Sequence, residues 1–134
     1  MPNITGHTEL VGLMAYPIRH TQSPTTHNLA YDKNGDDVIQ LAFEVDNDSL
    51  KDAVQSIRAL KMLGSNISMP NKTVVHKYLD EVDEAAKLCG AINTVVNLSL
   101  IHISSLKSAT SSANFSAKIC VTVSSGLAVA SGQE

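Results

Sequence analysis

The chain has 134 residues, 43% hydrophobic and 17% charged, with a net charge of -3 at pH 7. That length supports one domain with a real core and no second full domain, and the mild acidity gives no electrostatic case for nucleic acid or an anionic membrane. No run reaches the roughly eighteen apolar residues of a membrane span, and no basic segment followed by an apolar one opens the chain, so a cytoplasmic protein is expected.

Glu9 to Ala15 is nearly continuous apolar, as suits a strand covered on both faces. It opens into Tyr16-Pro17-Ile18-Arg19-His20-Thr21-Gln22-Ser23-Pro24, a loop shaped by two prolines. Ser23 before Pro24 has the pattern of an N-cap with proline at the first helical position, which predicts a helix over Pro24 to Lys33, stopped by Asn34-Gly35. Val38 to Val45 is rich in strand formers, and Asp46-Asn47-Asp48-Ser49 supplies a turn and a cap. Leu50, Ala53, Val54, Ile57 and Leu60 then recur at helical spacing, and Gly64 is read as the end of that helix.

A short strand, Ser65 to Met69, ends at Pro70. Asn71 is read as a helix cap, and the run to Leu79 as an amphipathic helix with Lys72 in its first turn. There the helix dipole disfavours a cation by about 0.3–1 kcal/mol, which makes the neutral amine more accessible and the lysine a candidate base. An acidic helical segment, Asp80 to Leu88, precedes Gly90-Ala91-Ile92-Asn93-Thr94-Val95-Val96-Asn97, read as turn and strand.

After Asn97 the character changes. Residues 98–134 hold ten serines and only Lys107, Lys118 and Glu134 as charges. Leu98 to Ile103 and Ile119 to Val123 are candidate strands, while Ser104 to Ser116 has no period and is expected to be poorly ordered. Cys89 and Cys120 have neither disulfide-framework nor zinc spacing, and the histidines at 20, 27, 76 and 102 have no metal-ligand spacing.

Strands alternating with helices predict an α/β fold, a mainly parallel sheet flanked by helices. In such sheets ligands bind beyond the carboxyl ends of strands, where the Tyr16 to Ser23 loop, Lys72 and Asn93-Thr94 would gather. Taken singly, these residues have plainer readings: Thr21 and Ser23 suit a helix cap, Asn93 a turn, and Lys72 a solvated surface.

Taken together, Thr21-Gln22-Ser23-Pro24, Ser68-Met69-Pro70-Asn71-Lys72 and Gly90-Ala91-Ile92-Asn93-Thr94 resemble the substrate-binding domain of shikimate and quinate/shikimate dehydrogenases over roughly residues 9–97. Ala15-Tyr16-Pro17-Ile18-Arg19-His20 looks more like the quinate/shikimate branch. The resemblance implies that Thr21 and Ser23 bind a substrate carboxylate, Ser68 lies near the substrate, Lys72 is the catalytic lysine and Asn93 binds ring hydroxyls. It also implies a parent reaction, the reversible oxidation of shikimate or quinate to the 3-dehydro compound with NADP or NAD.

The departures matter equally. Where the family continues to Asn-Thr-Asp-Gly, whose aspartate partners the lysine, this chain reads Leu98-Ser99-Leu100-Ile101-His102-Ile103. No G-x-G-x-x-G occurs, so neither NADP nor NAD is expected to bind this chain. The expected organisation is a substrate-binding domain over 1–97 and an off-family tail over 98–134, a truncated dehydrogenase inactive alone. The alternatives are a non-catalytic module for shikimate-like ligands, similar to dehydrogenase-like domains in some pathway repressors, and a nonfunctional product. The expected partner is a small molecule, shikimate or quinate, with self-association through exposed apolar surface also anticipated.

Overall fold

The computed structural model describes residues 3–98, together with the backbone of the strands Ile119–Val123 and Gly126–Ala130. In chain order the elements are β1 (Glu9–Ala15), α1 (Ser23–Asn34), β2 (Val38–Glu44), α2 (Leu50–Ala59), β3 (Gly64–Ile67), a 3-10 turn (Val75–Tyr78), α3 (Glu84–Cys89), β4 (Thr94–Val96), β5 (Ile119–Val123) and β6 (Gly126–Ala130). The sheet order is β2-β1-β3-β4-β5-β6. β1 pairs in parallel with both β2 and β3, as the crossovers through α1 and α2 require, whereas β4 runs antiparallel to β3. The sheet is therefore mixed. The strand expected at Ile119 to Val123 is present as β5; of the strand expected over Leu98 to Ile103 only Leu98 is described, and it is not in a strand, while the rest and the serine-rich Ser104 to Ser116 lie outside the described residues.

Side chains alternate across the pleat, so the two sheet faces differ. One face carries the main core, where Met14, Ile67 and Val95 pack with Leu50, Val54 and Ile57 of α2, and with Leu10 and Phe43. The apolar stripe anticipated for α2 supplies its fully buried Leu50, Val54 and Ile57. The other face holds a smaller cluster, Leu13, Ala15 and Ile18. A polar row crosses this second face: the Gln40 amide donates to Asn66 Oδ1 at 2.8 Å, and the Asn66 amide donates to Thr94 Oγ1 at 3.1 Å. α1 buries none of its residues and rides on the edge strand β2. Its Asn28 accepts from the Gln40 backbone N–H at 2.7 Å and donates to the Gln40 carbonyl at 3.0 Å, satisfying edge groups that no strand pairs.

Four local expectations are corrected. Ser23 is the first helical residue, and Gln22 occupies the cap position. Gly64 does not end α2, which stops at Ala59; Gly64 begins β3, where a Cβ would lie 2.2 Å from the Val95 carbonyl oxygen, so the close pairing with β4 demands glycine. No α-helix runs from Lys72 to Leu79: residues 71–74 are turns, and only Val75–Tyr78 form a 3-10 helix. The succession Thr73-Val74-Val75 is β-branched, which works against an α-helical start. Asn71 is no cap either. It is buried, and its side chain bonds to another loop. Among the described residues no helix is long and apolar enough to cross a membrane.

Candidate functional site

The carboxyl ends of β1 and β3 lie side by side, because the two strands are parallel neighbours. The loops that leave them are bonded together: the Tyr16 N–H donates to the Met69 carbonyl at 3.0 Å, and the Ser68 N–H to the Met14 carbonyl at 2.9 Å. Tyr16-Pro17 and Met69-Pro70 are both cis peptide bonds. The Thr21 N–H donates to the Ile18 carbonyl at 2.9 Å, and Thr21 Oγ1 accepts from the Ser23 N–H at 3.3 Å. Ile18 anchors this loop, being 4% exposed within the second-face cluster.

These anchors gather three of the five sequence-predicted residues. Thr21, Ser23 and Ser68 line one cavity of about 120 Å³, floored by Leu13, Ala15 and Ile18, with His20 at its wall. Lys72 lies four residues beyond Ser68 but lines a different cavity, of about 130 Å³, together with His76 and Lys87. Its backbone is fixed by the Ile92 N–H, which donates to the Lys72 carbonyl at 2.9 Å. Asn93 lines neither cavity. It stands just before β4, and its carbonyl accepts from the Ile67 N–H at 2.6 Å.

The antiparallel course of β4 matters here. A parallel fourth strand would begin at the far end of the sheet and carry Asn93 away from Ser68; an antiparallel one begins at the near end. The dipole argument for Lys72 fails, since a single 3-10 turn starting three residues later offers no α-helical N-terminus to disfavour its charge. A second ammonium, that of Lys87, lines the same cavity as Lys72 together with the His76 imidazole, and Lys87 is also 3.5 Å from Glu84. Sequence reasoning weighed the histidines only as metal ligands and passed over Lys87. The signal for His20 was its position inside the Tyr16 to Ser23 loop; for Lys87, nothing local marks it. Among the described residues no three His, Cys, Asp or Glu side chains stand close enough to hold a metal ion.

A nicotinamide nucleotide needs a strand that runs through a glycine-rich loop into a helix N-terminus, so that backbone N–H groups meet its phosphates. The described residues do not fit that requirement. β1 leads into Tyr16-Pro17 and β3 into Met69-Pro70, where proline has no N–H to offer, and Gly35 and Gly90 end helices rather than begin them.

An α/β sheet with hydroxyl, imidazole and ammonium groups around small cavities at its strand ends is the architecture of a small-molecule-binding domain. The family model of the shikimate dehydrogenase substrate binding domain matches residues 13–95. The chain belongs to the shikimate dehydrogenase family through that domain. It is 62% identical over 94 residues to the shikimate dehydrogenase (NADP(+)) of Listeria monocytogenes serotype 4b (strain F2365), an overlap of 70% of this chain and 32% of the relative. With the quinate/shikimate dehydrogenase of Escherichia coli (strain SMS-3-5 / SECEC) it shares 55% over 95 residues, covering 71% and 33%. The crystal structure of shikimate 5-dehydrogenase from Listeria monocytogenes in complex with shikimate and NAD is similar with a TM-score of 0.70 at 51% identity, over 82% of this chain and 42% of that one. The chain thus spans about a third of the length of these curated relatives, and the identities do not favour the quinate/shikimate branch.

Proposed function

We propose that this chain supplies the substrate-binding half of a shikimate dehydrogenase site and takes a cyclic polyhydroxy carboxylate, shikimate or quinate. One observation carries the reading: Thr21, Ser23 and Ser68, from loops after two different strands, line a single cavity, and Lys72 follows Ser68 on the same turn. Hydroxyl donors suit a carboxylate, and the Asn93 amide can both give and accept hydrogen bonds with ring hydroxyls. Lys72 takes the proton when a ring hydroxyl becomes a ketone and returns it in reverse. The parent reaction is then an NADP- or NAD-linked oxidation, for which the described residues of this chain offer no nucleotide site. Two cysteines in no disulfide spacing fit a cytoplasmic setting.

Turnover needs the redox cofactor held against the reacting carbon, and losing that positioning forfeits about 7–11 kcal/mol of barrier reduction. The chain alone is therefore expected to bind without turning over. Titration of the purified chain with shikimate and quinate, followed by NMR, should shift Thr21, Ser23, Ser68, Lys72 and Asn93 with millimolar dissociation, about -4 kcal/mol. Lys72→Ala should weaken that response, and NADP and NAD should not be reduced. The absence of any shift at high millimolar ligand would overturn the binding reading; turnover that disappears in Lys72→Ala would overturn the claim that no nucleotide is held.

A further inference from the structure

Lys72 reaches the end of the sheet on a turn whose anchor is the residue before it. Asn71 is fully buried. Its backbone N–H donates to the Ser68 carbonyl at 2.9 Å, and its carbonyl accepts from the Val74 and Val75 N–H groups at 3.1 and 3.0 Å. Its side-chain Nδ2 leaves the turn altogether and donates to the Val45 carbonyl at 2.7 Å. Val45, just after β2, donates its own N–H to the Ala15 carbonyl at 2.9 Å, and Ala15 is the last residue of β1 before the loop of Thr21 and Ser23. A run of hydrogen bonds thus connects the strand that launches the hydroxyl loop, through Val45, to the residue that precedes the lysine.

Stability alone does not call for an amide at this position. Asn71 Oδ1 is buried and has no hydrogen-bond partner among the described residues, a cost that an apolar side chain of similar size would avoid. What the amide supplies and a leucine cannot is the directed bond to Val45. We propose that Asn71 is a positioning residue for Lys72, holding the Ser68-to-Lys72 turn in register with the Thr21–Ser23 loop through the Val45 carbonyl. The proposal rests on the role given to Lys72 above, but its first test needs no ligand.

In Asn71→Leu, amide hydrogen exchange should accelerate about tenfold or more at Ile92, which bonds the Lys72 carbonyl, and at Val74 and Val75, with the β1–β2 ladder unchanged. Equal exchange in both proteins would overturn the proposal. So would uniform acceleration across the ladder, which marks a general structural role. Should Asn71→Leu fail to fold, Asn71→Asp keeps the size and removes the donor at neutral pH, and the same comparison applies. The second arm is a shikimate titration of the whole chain labelled at lysine Cε. Loss of the Lys72 response in the variant with the Thr21 response kept is the expected result, and joint loss or joint retention overturns it. If the unaltered chain gives no response to shikimate, the binding reading fails and the exchange arm still decides the role of Asn71.

Discussion

The Ile67 N–H donates to the Asn93 carbonyl at 2.6 Å, so the residue before Ser68 and the residue before β4 are held together at one end of the sheet. This bond continues the antiparallel ladder Gly64–Val96, Ser65–Val95 and Asn66–Thr94 by one more rung. Through it, two motifs separated by more than twenty residues of turn and helix become backbone neighbours at one end of the sheet.

Gly64 sets how closely those strands approach. A methyl group there would meet the Val95 carbonyl oxygen at 2.2 Å and Val96 Cα at 3.0 Å, both backbone atoms that cannot swing aside. Gly64→Ala should destabilise the fold by about 2–3 kcal/mol. Gly6→Ala, with nothing within 4 Å, should be nearly neutral. Chemical denaturation of the two variants checks the contrast.

Removing the polar row should cost more than its exposure suggests. In Asn66→Leu the Gln40 amide loses its acceptor and the Thr94 hydroxyl its donor, and Gln40 is fully buried. The expected loss is about 1–3 kcal/mol, because a buried donor left without a partner bears its full desolvation cost. An unchanged denaturation midpoint would mean that water replaces Asn66.

The Thr21 hydroxyl makes two contributions to the cavity loop, which Thr21→Val removes together and Thr21→Ser keeps together. It lines the cavity with Ser23 and Ser68, and its Oγ1 accepts from the Ser23 N–H. Thr21→Val should weaken shikimate binding about fivefold to tenfold, the worth of one hydrogen bond, whereas Thr21→Ser should stay close to the unaltered chain. Titrations at one pH and salt concentration measure both.

Acid should act at the β2–α2 connection. The Ser49 backbone N–H bonds to Asp46 Oδ1 at 2.9 Å and, with the Ser49 side chain, holds that carboxyl below the usual aspartate range. A folded-state value below the unfolded one means stability that is complete above the ordinary aspartate value and is lost as pH falls through the folded value. The bond is exposed, so the effect is small. Asp46→Asn should be slightly less stable at neutral pH and should flatten the acid limb of a plot of Tm against pH; parallel limbs for the two proteins would contradict this.

Much of the frame was written locally. Leu50, Val54 and Ile57 at helical spacing specify α2, the apolar run of β1 specifies a strand covered on both faces, and Asn34-Gly35 ends α1 with Gly35 at φ 76°. The motifs were legible because they sit in the connections at strand ends, the first two beyond β1 and β3 and the third opening β4, and all three carry hydroxyl, amide or amine side chains. Tertiary structure decided the rest. The antiparallel sense of β4, which returns the Asn93 backbone to the carboxyl end of β3, is a property of pairing with β3 that three residues of strand cannot announce. Thr73-Val74-Val75 followed an apolar pattern that read as a helix, yet Asn71, drawn inward by the Val45 carbonyl of another loop, made the segment a turn. Local pattern records which side chains want burial; which carbonyl answers a buried amide depends on strands distant in sequence, and that is settled only when the sheet closes.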